Sequence, residues 1–239
     1  MITNLFKNKT VWITGASRGI GAALAHEFDK NGAIVILSSR SEESLLKLQS
    51  QNSFKNSDII PCDVVNEGEV LKAHAEIISR FENVDILINN AGTATFKPIW
   101  ETTTEEFDAQ IAVNLRGTFL CSKAVLPRMI ERKSGAIVNI NSVAAVNSFK
   151  NCSAYGASKA GALALSRSMR EEVREFGIKI IDMLVGATET DIWGDDMRAE
   201  AGHRMMQPED IAQTIVNALK MSERAMIEEI LLKPQLGNL

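Results

Sequence analysis

The sequence predicts an α/β fold: one doubly wound domain spanning residues 1–239, with about seven parallel strands and helices on both faces. Three observations predict it. Short runs rich in valine and isoleucine alternate with stretches of helical period from end to end. A glycine-rich turn follows directly on the first of these runs. No low-complexity linker, long repeat or break in composition divides the chain.

The apolar runs are TVWIT (10–14), AIVILSS (33–39), DIIPC (58–62), VDILIN (84–89), AIVNIN (136–141), IKIIDMLV (178–185) and MIEEILL (226–232). Most have the length and composition of strands buried on both faces of a parallel sheet. The last is weaker, because Glu228 and Glu229 interrupt it. Between the strands, GIGAALAHEFDKNG reads as a helix ended by Gly32 at its C-cap, and residues 66–81 as another. Thr102, followed three residues later by Glu105, has the capping-box pattern. Gly177 closes the helix that carries Tyr155 and Lys159, and Pro208 suits the first position of the last helix.

Composition narrows the function classes. Hydrophobic residues make up 45% and charged residues 23%, as in ordinary globular chains. The net charge of −4, with no concentration of Lys or Arg, argues against a nucleic-acid surface. Cys62, Cys121 and Cys152 show no CxxC spacing and are odd in number, which predicts reduced thiols. His26, His74 and His203 have no metal-ligand spacing, so no metal is expected. MITNLFKNKT lacks the apolar core of a signal peptide, and no uncharged apolar run approaches 18 residues. The expectation is a soluble cytoplasmic protein without a membrane segment.

TGASRGIG (14–21) supplies the first functional signal. Gly15, Gly19 and Gly21 fall in a strand-to-helix turn, where the helix N-terminus offers free N–H groups and a positive dipole end to a pyrophosphate. The bland alternative is a tight loop that packs helix on strand. In dinucleotide folds an acid at the end of the second strand holds the ribose 2′-hydroxyl of NAD. Here that position is Ser39, followed by Arg40, with Arg18 nearby in the turn. Two guanidiniums and no carboxylate suit a 2′-phosphate, so the expected cofactor is NADP(H).

A second signal is SAYGASKAG (153–161), which holds the only tyrosine of the chain. Residues four apart share a helix face, so Tyr155 and Lys159 can point into one cleft. A free tyrosine has a pKa near ~10 and needs a neighbouring cation to work near neutrality. Ser142 ends the fifth strand, whose carboxyl end faces the ligand crevice.

TGxxxGIG together with YxxxK resembles the short-chain dehydrogenase/reductase family, in its single-domain, NADP-preferring branch. The resemblance implies a Rossmann-type domain and a catalytic tetrad of Asn114, Ser142, Tyr155 and Lys159. Tyr155 would exchange a proton with the substrate oxygen while Ser142 hydrogen-bonds it. Lys159 would hold the nicotinamide ribose and lower the tyrosine pKa, and Asn114 would organise a water relay. The implied cofactor set is Gly15, Ser17, Arg18, Gly19, Ile20, Gly21, Ser39, Arg40, Asp63, Val64, Asn90, Gly92, Tyr155, Lys159, Gly186, Thr188 and Thr190. Where the family usually has Pro-Gly after the sixth strand, this chain has Val185-Gly186, which predicts a less rigid turn.

Residues 187–207 are expected to form a substrate lid. Trp193, Met197, Met205 and Met206 are candidates for an adaptable apolar pocket, with Val143, Phe149 and Cys152 as further substrate contacts. The C-terminal part resembles sepiapterin reductase-like and carbonyl reductase members. The implied activity is NADPH-dependent hydride transfer to a ketone or aldehyde, or the reverse oxidation of an alcohol. The alternatives are a 3-oxoacyl-acyl-carrier-protein reductase, a sepiapterin reductase-like enzyme, or a regulatory protein that binds NADP(H) without turnover. Family members form homodimers or homotetramers, and the same is expected here.

Overall fold

The computed structural model describes residues 6–222 and 224–238. Seven strands form one sheet: β1 (Thr10–Thr14), β2 (Ile34–Ser38), β3 (Ser57–Ile59), β4 (Ile86–Asn89), β5 (Gly135–Ser142), β6 (Ile178–Val185) and β7 (Glu229–Leu232). Their order is β3-β2-β1-β4-β5-β6-β7, and every pairing is parallel. All seven expected strands are present. β7 starts only at Glu229, after the first of the two glutamates, so the interrupted run yields a short edge strand.

Alternation along each strand sends side chains to two cores. Val11 and Ile13 of β1 face one side with Val35, Ile88, Val138 and Met183. There they meet α1 (Gly19–Lys30), through Leu24 and Phe28, and α8 (Pro208–Leu219), through Ile211 and Ile215. Trp12 faces the other side with Ile36, Leu87, Ile137 and Ile180. That side is covered by α3 (Glu67–Phe81), α5 (Thr118–Glu131) and α6 (Ser153–Val173). Burial of strands on both faces explains why their sequences read as continuous apolar runs.

Helix ends follow local chemistry. Asn66 caps α3, its side-chain oxygen accepting the N–H groups of Gly68 and Glu69. α2 (Glu42–Gln51) is capped by Ser41, which accepts from Ser44 N–H. The expected capping box lies one residue further on than the sequence pattern put it: Thr103 and Glu106 form it, at the start of α4 (Thr104–Ile111). Either threonine has a glutamate three residues on, and only the chain's entry path chooses between them. α4 runs into a π-helical segment, Ala112–Gly117, and then α5. A 3-10 turn, Arg174–Phe176, follows α6, and Gly177 closes it in the left-handed conformation, with φ 68°.

Leu87 is wholly buried in the central strand β4. Replacing it with alanine is expected to cost about 2–5 kcal/mol, because a rigid sheet cannot collapse into the cavity left behind. Urea unfolding of Leu87→Ala against the parent measures this. A loss below 1 kcal/mol would mean that the sheet centre is loosely packed.

Candidate active site

The chain starts in the middle of the sheet, moves outward to β3 and returns to the centre at β4. Loops leaving β1 and β4 therefore diverge, and a crevice opens at the carboxyl ends of the strands. A cavity of about 1000 Å³ lies there.

At the crevice floor, Asn90 ties the two central strands together. Its side-chain Nδ2 donates to the carbonyls of Thr14, at 3.0 Å, and Gly15, at 2.9 Å. Its own N–H donates to Thr14 Oγ1, which donates in turn to Ile88 O. Gly15 has φ +62°, and a Cβ there would come within 2.8 Å of Ala91 Cα. A Cβ on Gly21 would lie 2.3 Å from Gly15 O. The first and third glycines are thus required for contact of the turn with protein backbone, rather than for room at a ligand. Gly19, with φ +54°, faces the side chain of Thr190.

Helix α1 begins beside this turn with Arg18 at its N-cap position, no side-chain cap and no acidic residue in its first turn. Its leading N–H groups are therefore unclaimed by side chains and open toward the cavity, which Ser17, Arg18, Gly19 and Ile20 line. At the far end of the same cavity lie Ser39, Arg40, Asp63 and Val64. Asp63 accepts the N–H of Val65 through Oδ1. Arg40 is exposed, whereas Arg18 is paired with Asp191 at 3.7 Å, an exposed contact worth about 0–1 kcal/mol. Gly92, Gly186, Thr188 and Thr190 line the cavity further in.

The opposite wall carries three of the four tetrad candidates. Ser142, at the end of β5, lies within hydrogen-bonding reach of the Tyr155 hydroxyl. Lys159 is buried, one turn further along α6, and its Nζ donates to Ile140 O at 2.8 Å and stands 5.8 Å from the Tyr155 ring centre. Asn114 lies in the π-helical segment and is not itself part of the cavity wall. Its Oδ1 accepts from Thr93 N, and its Nδ2 donates to Thr93 O and to Ser158 Oγ, each at 2.9 Å. The amide thus clamps the loop after β4 to α6. A Cβ on Gly92 would sit 3.4 Å from Asn114 Oδ1 and 3.8 Å from Lys159 Nζ, in ordinary contact with both, so this glycine lies between them.

The electrostatics depart from the expectation of a tyrosine acidified by its lysine. Burial pushes the Tyr155 phenol up to about 12; the hydrogen bond from Ser142 works against this, and the Cys152 thiol adds to it. Burial also carries the Lys159 ammonium down to about 8, so its capacity to stabilise a phenolate is itself limited. The protein's own groups do not bring the phenol into the neutral range.

Beyond the tyrosine the cavity becomes aromatic. Phe96 packs edge-on to Tyr155 at 5.7 Å and lies parallel to Trp193 at 5.3 Å, with only 9° between the planes. Trp193 is anchored by its Nε1, which donates to Thr188 O at 3.0 Å. Phe96 has no local sequence signal, since it belongs to an irregular loop and meets its partners only in three dimensions. Val143, Phe149, Cys152 and Met197 also line this end. The Cys152 thiol is raised by burial, which keeps it protonated and makes it wall rather than nucleophile. Met205 and Met206 are buried, and neither lines the cavity: Met206 packs into the α1/α8 core. The segment expected as a lid contains a short helix, α7 (Asp195–Ala201).

The turn after β6 is more firmly tied than Val185 in place of proline suggested. Gly186 N–H donates to Leu232 O at 2.8 Å, and Thr188 Oγ1 donates to Gly186 O. A Cβ on Gly186 would meet Pro234 Cδ at 3.0 Å and Lys233 Cα at 3.1 Å, so the segment after β7 packs closely against this corner. Among the described residues no helix is long and apolar enough to cross a membrane.

Comparison with known proteins gives this arrangement a context. A family model described as short chain dehydrogenase matches residues 9–201. A sepiapterin reductase of Chlorobaculum tepidum is 36% identical over 239 residues, covering 95% of this chain and 96% of the relative. An uncharacterized oxidoreductase of Staphylococcus aureus is 30% identical over 227 residues, covering 95% and 97%. A metagenomic short-chain oxidoreductase solved in complex with NADP superposes with a TM-score of 0.84 at 30% identity, covering 96% of this chain and 98% of that one. An alcohol dehydrogenase of the archaeon Thermococcus sibiricus, complexed with 5-hydroxy-NADP, gives a TM-score of 0.87 at 26% identity, covering 97% and 98%.

Two outcomes follow from this geometry. Gly15→Ala should lower dinucleotide affinity at least tenfold, about 1.4 kcal/mol, because a left-handed residue pressed on Ala91 must shift the whole turn. Fluorescence titration with a reduced nicotinamide dinucleotide reads this, and unchanged affinity would show that the turn tolerates a Cβ. Lys159 is lowered in the folded state from 10.5 to about 8, so the folded protein disfavours its charge. That penalty is complete below about pH 8 and fades as pH rises toward 10.5. Lys159→Met should therefore raise Tm at pH 7, by a margin that shrinks across that window; a margin constant with pH would assign the effect to packing.

Proposed function

This chain belongs to the short chain dehydrogenase family, and on that premise we propose that it is an NADPH-dependent carbonyl reductase. The observation that carries the reading is the convergence of Tyr155, Ser142 and Lys159 on the wall of a cavity that the uncapped start of α1 also lines. NADPH, when bound, supplies the hydride that reduces the carbonyl carbon. Its phosphates fit the free N–H groups at the start of α1, and its adenosine 2′-phosphate fits Arg40 and Arg18 where no carboxylate competes at Ser39. Arg18 would leave Asp191 to make that contact, at little cost for so exposed a pair.

In this reading the Tyr155 hydroxyl donates its proton to the carbonyl oxygen as negative charge develops there. The Ser142 hydroxyl holds the same oxygen and the phenolate left behind. A phenol pushed up to about 12 is protonated at neutral pH, as the donor in a reduction must be. Lys159, lowered to about 8, keeps an ammonium beside the phenolate through the neutral range and can return a proton. Asn114 acts on position, by clamping the loop that carries Gly92 against α6.

The parallel rings of Phe96 and Trp193 favour a narrower reading of the substrate. Stacked on each other, the two rings form an aromatic wall beside Tyr155, suited to packing against a planar heterocycle that bears a side-chain carbonyl. A sepiapterin reductase-like activity fits this surface, and the C. tepidum relative carries that name.

Loss of NADPH absorbance across a panel of carbonyls tests both levels. The panel holds diketones, aromatic aldehydes, β-keto esters, acyl-thioester mimics and a pterin with a side-chain ketone, each run with NADPH and NADH. Turnover should prefer NADPH and fall about 10²–10⁴-fold in Tyr155→Phe. Trp193→Ala should raise KM for the pterin more than for a small aliphatic diketone. Tight NADPH binding with no turnover on any carbonyl would instead favour a regulatory binder, and equal effects of Trp193→Ala on both substrates would remove the aromatic reading.

A further inference from the structure

Beneath the tetrad candidates lies a chain of buried polar side chains that the proposed reaction does not use. Asn89, Asn139 and Asp182 are register neighbours on β4, β5 and β6. Asn89 Nδ2 donates to Ser122 Oγ at 3.0 Å and to Asn139 Oδ1 at 2.9 Å. Asn139 Nδ2 donates to Ser166 Oγ, and that hydroxyl donates to Asp182 Oδ2. Arg170, on the same inward face of α6 as Lys159, pairs with Asp182 Oδ2 at 2.8 Å and also donates to the carbonyls of Ile180 and Glu228. Asp182 is 0% exposed and Arg170 3%.

A buried ion pair is a poor source of stability, since desolvation offsets its attraction. Its value lies in what it orients. Asp182 Oδ1 has no hydrogen-bond partner, and neither has Asn141 Nδ2. Asn141 is two residues beyond Asn139 and therefore on the same face of β5, diagonal to Asp182. These two orphans are an acceptor and a donor on the same face of neighbouring strands, complementary in sign though not hydrogen-bonded to each other. The other end of the Asn141 amide accepts the Ser142 N–H at 2.9 Å. If that amide turned over, its oxygen would meet the carboxylate and its NH₂ would meet the Ser142 N–H, two repulsive contacts.

We propose that Asp182, held by Arg170 and Ser166, is a positioning residue that keeps the Asn141 amide in one orientation, and that this amide sets the backbone from which Ser142 reaches Tyr155. The proposal rests on the reading of Ser142 and Tyr155 as the proton-donating pair and adds four buried residues to it. The charged or titratable groups around the pair are Arg170 and Glu229 at Asp182, and Lys159 and Cys152 at Tyr155.

The single tyrosine makes a substrate-free test possible. Biosynthetic 3-fluorotyrosine labels Tyr155 alone, and its ¹⁹F shift against pH reads the ionisation that Ser142 favours by hydrogen bonding. Asn141→Ala should move the titration midpoint upward in the same sense as Ser142→Ala, and should add nothing in a Ser142→Ala background. Asp182→Asn leaves Arg170 buried without its charge partner and risks misfolding, so Asp182→Leu combined with Arg170→Met removes both charges together. This apolar pair should reproduce the Asn141→Ala shift. In turnover the same variants should lower kcat about tenfold to a hundredfold with KM for NADPH unchanged. A wild-type midpoint in the apolar pair, or an Asn141→Ala effect of equal size with and without Ser142, overturns the proposal. Absence of wild-type turnover would count against the reductase reading alone, because the ¹⁹F titration decides the positioning claim without substrate.

Discussion

Hydrogen bonds between Thr14 and the segment after β4 hold the place where the chain returns to the middle of the sheet, and the rest of the site hangs on them. Thr14 Oγ1 donates to Ile88 O and accepts from the N–H groups of Asn90 and Ala91, while the Asn90 amide holds the carbonyls of Thr14 and Gly15. Two side chains thereby hold three carbonyls, of Thr14, Gly15 and Ile88, and two N–H groups, of Asn90 and Ala91, where the two loops diverge. Satisfying them from within the protein fixes the glycine turn before any ligand arrives. It also explains why two of the three glycines are required on the protein side of the turn. The crevice is a consequence of sheet order, and its shape is a consequence of this knot.

Burial is the second organising constraint. It raises the phenol of Tyr155 and lowers the ammonium of Lys159, so the pair begins from two neutralising tendencies rather than from a ready-made ion pair. A lysine four residues from a tyrosine on a helix predicts proximity, and proximity alone suggested an acidified phenol. The desolvation of both side chains against β5 and the cavity wall outweighs that attraction. The bond from Lys159 to Ile140 then fixes the ammonium, and Ser142 favours the phenolate of Tyr155 against its burial. The arrangement costs stability, as sites that hold charge in apolar surroundings do.

Helix α6 shows how one element serves both ends of this design. Its inward face runs from Tyr155 and Lys159 through Ser158 and Ser166 to Arg170, so its first turns meet the cavity and its later turns meet the buried polar row of the sheet. Asn114, in the π-helical segment between α4 and α5, reaches Ser158 on that same face. A π turn inside a helix redirects side chains, and here it turns an asparagine toward two neighbouring elements at once. The active wall is therefore braced from the sheet, from α6 and from the α4/α5 junction.

Much of this was legible in the chain. Seven strands, the helix after TGASRGIG and the shared face of Tyr155 and Lys159 follow from periodicity and spacing, because parallel strands buried on both faces must be continuously apolar and helical residues four apart must be neighbours. The turn residues and the end of β5 could be placed for the same reason: they are bound to elements that local sequence defines. What the chain alone did not decide were relations between distant segments. Phe96 beside Trp193, Arg18 beside Asp191, Met206 in the core rather than the pocket, and Asp182 near Asn141 each depend on loop paths and strand order. The shifts of Tyr155 and Lys159 belong to this second group as well. Desolvation is set by everything packed around a side chain, and that is a property of tertiary structure with no local pattern in the sequence.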